Sequence, residues 1–307
     1  MTAGALEARG VARPPARDLG LMSIALLAVS TSGPLIAATA APALAIAFWR
    51  NAMGGAVLLP VALVRNRAEL RGLTSREQRL ALLAGLMLAL HFATWIPAIS
   101  YTSVASATAL VATQPVWSAL LGRLRGERIG RQVALGIGIS LAGALLLTGA
   151  DLQVSGRALV GDGLAVLGGV FAAAYMTAGS EVRRSVSTTA YTAICYSTTA
   201  LLLLVVCLVG QQDLSGYAGR DWLKLVALSA GAQLLGHSLF NVVLRTTSPT
   251  VVSLSILFEI PGAAVIAALF VKGQHVPWLA IPSAALLVTG LALVIRAGSR
   301  TPSLPVE

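Results

Sequence analysis

Ten apolar runs follow one another along this chain, each about as long as the 20 residues that a helix needs to cross a bilayer core. They fall near 19–41, 43–64, 79–99, 103–124, 130–149, 161–181, 188–209, 222–244, 250–271 and 276–296. Inside hydrocarbon each run must satisfy its own backbone hydrogen bonds, which a helix does. The expected fold is therefore an all-α integral membrane protein of ten transmembrane helices. Composition agrees: of 307 residues 56% are hydrophobic and 11% charged, against roughly 25% charged in soluble domains. The run at 43–64 is the weakest because it holds Arg50.

A repeat supports keeping that run. The stretch His91–Gly126 is a loose copy of His237–Gly273. His91 and His237 lie 146 positions apart, and the same offset pairs Trp95 with Asn241, Thr102 with Ser248 and Pro115 with Pro261. Gly126/Gly273 and Gly143/Gly290 match at 147. The expected organisation is a tail at 1–18, one five-helix unit at 19–149, a second at 161–296, and a tail at 297–307. Half a membrane bundle repeated in one chain is a common plan of secondary transporters, whose site lies between the halves.

The net charge of +10 sets orientation rather than inviting nucleic acid, because the basic residues flank apolar runs. With the N-terminus inside, seventeen Lys and Arg in the tails and connections fall inside and four outside (Arg157, Arg220, Lys224, Lys272), leaving Arg50 at depth among the 22. Both termini and Arg71 should be cytoplasmic, with Gly216 and Gln274 outside. Five helices per half is odd, so the second half enters from the opposite side and the repeat is inverted. The N-terminal run reads as a retained span, too long for a signal-peptide core. Cys195 and Cys207 share one apolar run, which leaves neither a disulfide framework nor a zinc site. The chain carries no P-loop, GxSxG elbow or HExxH motif, so no cofactor or metal is expected.

Ionisable side chains at bilayer depth cost on the order of 2.5–3.5 kcal/mol each on insertion scales and tend to face a cavity or one another. Four stand out: Arg50, His91, His237 and Glu259. The histidines each sit about two-thirds along their run, which puts them on opposite sides of the midplane, separated by roughly 10 Å at 1.5 Å per residue. Ser229, Gln233, His237 and Asn241 recur every four residues and form a polar stripe. Such a stripe lines a cavity or bonds helices together for about 0.6–2 kcal/mol per residue. Met87, His91 and Trp95 occupy the equivalent face of the third run, a pairing that suits an amphipathic organic solute. Gln114 and Glu259 fall near the midplane just before prolines that weaken the helix. Arg50 would anchor a substrate carboxylate, cap helix ends or pair with Glu259; Glu259 would exchange protons or pair structurally. Trp49, Trp117, Tyr175 and Tyr196 are further candidates for the cavity wall or for packing. Gly136-x-x-x-Ser140 and the cluster Gly161, Gly163, Gly168, Gly169 should allow close helix contact.

These features resemble the drug/metabolite transporter superfamily, specifically proteins with two EamA domains, the group that includes YddG-like amino-acid exporters. The resemblance covers about 19–296 and rests on TSVASATALVATQPVWSALLGRLRGE at 102–127, on GHSLFNVVLRTTSPTVVSLSILFEIPGA at 236–263, and on Arg50 and Asp162. It departs at Glu259-Ile260-Pro261, where the family commonly has Glu and Pro adjacent, so the local kink should differ. The resemblance implies a bacterial inner-membrane exporter with a central cavity and alternating access. The expected function is secondary transport of a small amphipathic metabolite such as an amino acid, with protons as a candidate coupling ion, by a monomer or weak homodimer. A membrane-embedded enzyme using His91, His237 and Glu259, and a channel or structural membrane protein, are the rival classes; the enzyme lacks a nucleophile and base at motif spacing.

Overall fold

The computed structural model describes residues 14–102, 107, 110–148, 155–270 and 278–298. Every regular element among them is helical. α1 (Ala16–Val29) and α2 (Ser32–Ala38) make the first crossing; α3 (Ala43–Arg65), the short α4 (Arg67–Gly72) and α5 (Ser75–Tyr101) follow. Next come α6 (Gln114–Leu124), α7 (Arg131–Thr148), α8 (Gly156–Val182) and α9 (Thr188–Val209). α10 (Gly219–Leu228), a π-helical stretch (Ser229–His237) and α11 (Ser238–Val243) run on as one rod. α12 (Pro249–Ile256), α13 (Glu259–Phe270) and α14 (Ala280–Gly298) complete the chain.

Eight helical stretches are long and apolar enough to cross a membrane, and 131–146 adds a shorter apolar helix. The ten expected runs thus meet eight such stretches. The expected 103–124 run lies partly outside the described residues, as do most of the two tails and the loop holding Lys272 and Gln274. Two runs are interrupted rather than straight. The first bends at Ser30–Thr31, just ahead of Pro34, whose missing N–H is harmless in the first turn of α2. The ninth breaks at Leu257–Phe258, between α12 and α13.

Packing pairs α5 with α8, α3 with α9, and α7 with α14 as the most extensive contacts, while α1 lies along the π-helical rod and α6 against α12. Small residues set these approaches. A Cβ added to Gly136 would meet the Gly290 carbonyl oxygen at 2.6 Å, so α7 and α14 touch backbone to backbone. Gly161 and Gly168 likewise admit Thr102 and Trp95 of the third crossing, whereas Gly163 has nothing within 4 Å and serves no helix contact. Cys195 and Cys207 are free and fully buried.

One end of the bundle gathers the connections that carry most of the arginines. Glu181 accepts from Arg76 at 3.0 Å and Arg125 at 2.7 Å, with Arg184 at 3.4 Å. Asp18 accepts from Thr247 at 2.8 Å, and Ser185 donates to Glu77. At the other end Trp49 donates to the Leu214 carbonyl at 2.9 Å, and Asp221 holds both the Ala40 amide and Lys224.

Glu69 fastens α4 to the start of α9. Its carboxylate accepts from the Ser187 amide at 2.5 Å, the Ser187 hydroxyl at 2.6 Å and the Asn66 amide at 2.8 Å, while Ser187 itself caps α9. Burial pushes the Glu69 carboxyl up, but these hydrogen bonds outweigh it and hold the group below its ordinary 4.5. A lowered folded pKa stabilises the fold above the ordinary value, and that contribution fades as pH falls through the lowered one. Glu69→Gln should therefore destabilise by about 1 kcal/mol at pH 7, and the gap to wild type in thermal melts should shrink steadily below pH 4.5.

Candidate functional site

Arg50 sits in the middle of α3 and is 1% exposed. Its Nε donates to Gln233 Oε1 at 3.0 Å and its Nη1 to Ser32 Oγ at 3.4 Å, while the guanidinium carbon lies 4.3 Å from the Phe92 ring centroid. The chain of contacts continues outward: Gln233 Nε2 donates to Asn51 Oδ1 at 3.0 Å, and Asn51 Nδ2 to the Ala47 carbonyl at 2.9 Å. Each amide is thereby locked in one orientation. Charge-assisted hydrogen bonds are worth about 1.5–3 kcal/mol and a desolvated cation–π contact about 2, enough to offset the insertion penalty of about 2.5–3.5 for a mid-helix arginine.

Local sequence explains how these groups meet. Gly54 of α3 leaves room for Gln233 Cγ and the Tyr196 ring, which a Cβ would meet at 3.3 and 3.4 Å, so the second crossing lies close to the π-helical stretch. That stretch holds an extra residue per turn, a feature often found at functional sites, and carries both Gln233 and His237. Gly236, on the same stretch, admits Val29 of α1.

A cavity of about 90 Å³ opens beside Arg50. The first half of the chain supplies Ser32, Arg50, His91, Phe92, Trp95 and Gln114 to its wall, and the second half Tyr175, His237, Ser253 and Glu259. Neither α7 nor α14 reaches it. His91 Nδ1 donates to the Gly168 carbonyl, which can only accept, at 2.9 Å. The His91 ring stacks on Trp95, centroids 5.8 Å apart and planes within 4°. His237 meets the edge of Phe92 at 5.9 Å, so both histidines pack on one aromatic ring. Gln114 opens α6 and donates to Ser253 Oγ at 3.1 Å, tying the two halves together across the cavity floor.

Glu259 begins α13, where the dipole of the helix N-terminus favours a carboxylate. It interacts electrostatically with Arg50, yet no ion pair within 4.0 Å joins them among the described residues. The break ahead of it is a tightened turn: Leu257, Phe258 and Ile260 donate to the carbonyls three residues back. A matching turn, Thr113 to Leu110 and Val116 to Thr113, precedes Gln114. The kink in this chain thus lies two residues before Glu259, not at Pro261.

Of the candidates read from the sequence, seven line the cavity, namely Arg50, His91, Trp95, Gln114, Tyr175, His237 and Glu259, whereas Trp49 does not and bonds Leu214 instead. Gln233 and Asn241 stand one layer back. Asn241 Nδ2 donates to the Tyr175 hydroxyl at 2.7 Å. Tyr196 is fully buried behind Asn241, 3.4 Å from Ser238 Oγ. Trp117 is not a wall residue; its indole donates to Thr113 Oγ1 at 3.0 Å and serves the turn before α6. Sequence reading missed Phe92, Ser32, Asn51 and Ser253. Asn51 had a signal, an amide beside Arg50 in an apolar run; Phe92 and Ser253 had none.

The EamA-like transporter family model matches residues 19–149 and again 159–296. The chain belongs to the EamA-like transporter family. An EamA-family chain is a multi-pass membrane protein and a transporter of the drug/metabolite class. A solved structure described only as a crystal structure of a protein superposes with a TM-score of 0.76 at 21% identity, over 92% of this chain and 97% of its own; the likeness is one of fold. No curated protein matches the chain.

Because Gln233 is the only group among the described residues that holds Arg50 Nε, Gln233→Leu should strand a buried cation donor. Expected destabilisation is about 1–3 kcal/mol, read as a lowered melting temperature of the purified protein. Trp117→Phe, off the cavity, should change transport little.

Proposed function

We propose that this EamA-family protein exports a small amphipathic metabolite, an amino acid or a related compound, across the bacterial inner membrane by alternating access. The observation that carries this reading is the cavity itself, walled by the crossings that hold Arg50, His91, His237 and Glu259 and closed off from α7 and α14. At about 90 Å³ it is smaller than the roughly 150 Å³ cavity that admits benzene. A metabolite therefore enters only when the halves move apart.

The pattern of packing supports two inverted five-helix halves and ten crossings. Under an inverted repeat, contacts of crossing 2 with 7, 4 with 9 and 5 with 10 map onto themselves, while 3 with 6 maps onto 8 with 1. These are the pairs formed by α3 and α9, α6 and α12, α7 and α14, α5 and α8, and α1 with the π-helical rod. Both termini are read as cytoplasmic from the arginine-rich end that joins Arg76, Arg125 and Arg184 to Glu181. With single cysteines in a Cys195→Ala, Cys207→Ala background, an impermeant thiol reagent should label Gly216→Cys from outside and Arg71→Cys only from inside. Labelling of position 71 from outside would overturn the topology.

Glu259, a carboxylate on the cavity wall with no ion pair among the described residues, is the group read as carrying a proton. In proteoliposomes, Glu259→Gln should lose transport driven by a pH gradient by at least about tenfold yet retain substrate counterflow, which moves no net proton. Counterflow over a panel of amino acids, nucleobases, vitamins and cationic drugs identifies the substrate. No counterflow with any of them would sink the export reading.

A further inference from the structure

Three nitrogens on the cavity wall are buried without a hydrogen-bond partner: Arg50 Nη2, Trp95 Nε1 and His237 Nδ1. Buried polar atoms in native proteins are nearly always paired, and the exceptions call for a reason. The other unpaired atoms among the described residues, including Asp162 Oδ1, Tyr191 Oη and Asn241 Oδ1, lie on side chains away from this wall. Arg50 and Trp95 can only donate, and His237 donates through Nδ1 in one of its neutral tautomers. Two obligate donors and one nitrogen able to donate therefore gather around one small space.

We propose that these three donors form an oxyanion subsite that takes the carboxylate of an organic acid, inside the cavity already read as the transport site. A carboxylate offers two oxygens with about four acceptor positions, enough for all three donors. Charge decides in the same direction. Among the described residues Arg50 has no carboxylate within 4.0 Å, since Glu259 stands farther off, and it meets an amide, a hydroxyl and the Phe92 face. An incoming anion supplies the missing counter-charge. Volume agrees as well: about 90 Å³ holds a carboxylate and a short stem, and a bulkier probe such as a benzoate ring is admitted as the halves move apart. The His91, Phe92 and Trp95 rings line the space that the stem would occupy.

The site is tested by thermal melts of the purified full-length protein in matched sodium chloride, with benzoate, benzamide and inorganic phosphate as probes. Benzoate and benzamide have nearly the same shape and differ in charge. Benzoate should raise the melting temperature and benzamide should not. Trp95→Phe keeps an aromatic ring but removes one donor, and should weaken benzoate binding at least about tenfold. Arg50→Gln should abolish it, and where that variant does not fold Trp95→Phe decides. A shift with phosphate as well supports the same oxyanion site with no need for an organic stem. Equal shifts from benzoate and benzamide, no shift from benzoate, or benzoate binding unchanged in Trp95→Phe would each overturn the subsite, showing that water satisfies the donors. Counterflow is measured on the same preparation. Benzoate binding without counterflow of any solute refutes transport and leaves the subsite standing; counterflow without a benzoate shift does the reverse.

Discussion

A single buried guanidinium dictates much of this architecture. Arg50 is almost as deeply buried as the alanines of the core, at 1% exposure, in a bundle whose outer surface faces hydrocarbon. Leaving such a charge unpaired at depth is costly, so three elements converge on it: α2 through Ser32, α5 through the Phe92 face, and the π-helical stretch through Gln233. Asn51 then fixes Gln233 from the other side. Gly54 supplies the clearance between crossings, and the π-helical stretch carries the amide that meets Arg50. The same arrangement leaves one guanidinium nitrogen free at the cavity wall, and so joins folding to recognition.

Interrupted helices give the cavity its polar lining. A straight helix uses its backbone groups internally and presents side chains alone. Here the turns before Gln114 and Glu259 end one helix and begin another at cavity depth. Gln114 uses its place to bridge to Ser253, whereas Glu259 has no ion pair among the described residues. The uninterrupted α7 and α14 instead lock together through Gly136 and Gly290, away from the cavity. Rigid packing at the periphery and broken helices at the centre suit a bundle whose halves must part to admit a solute.

The apolar runs and the 146-residue repeat made the helical membrane fold legible from residues alone, because hydrocarbon leaves the backbone few options. The rare ionisable groups at depth marked the cavity for the same energetic reason: Arg50, His91, His237 and Glu259 all line it. What sequence could not place was the second layer. Gln233 and Asn241 sit on the expected stripe, but they reach the site through Arg50 and Tyr175 rather than directly. Trp117 looked like a wall residue because aromatic chains serve cavity, belt and turn alike, and only its bond to Thr113 separates these. The π-helical register of Ser229–His237 left no mark either, since a four-residue polar spacing reads the same in an α-helix.

The central claim is that the space beside Arg50 opens in turn to each side of the membrane. Ile256 lines that space without bonding to its polar groups, which makes Ile256→Cys in a Cys195→Ala, Cys207→Ala background the most direct probe. Labelling by an impermeant thiol reagent is measured in right-side-out and inside-out vesicles while substrate drives cycling. Labelling from both sides is the expected result; labelling from one side only, or from neither, would contradict alternating access at this cavity.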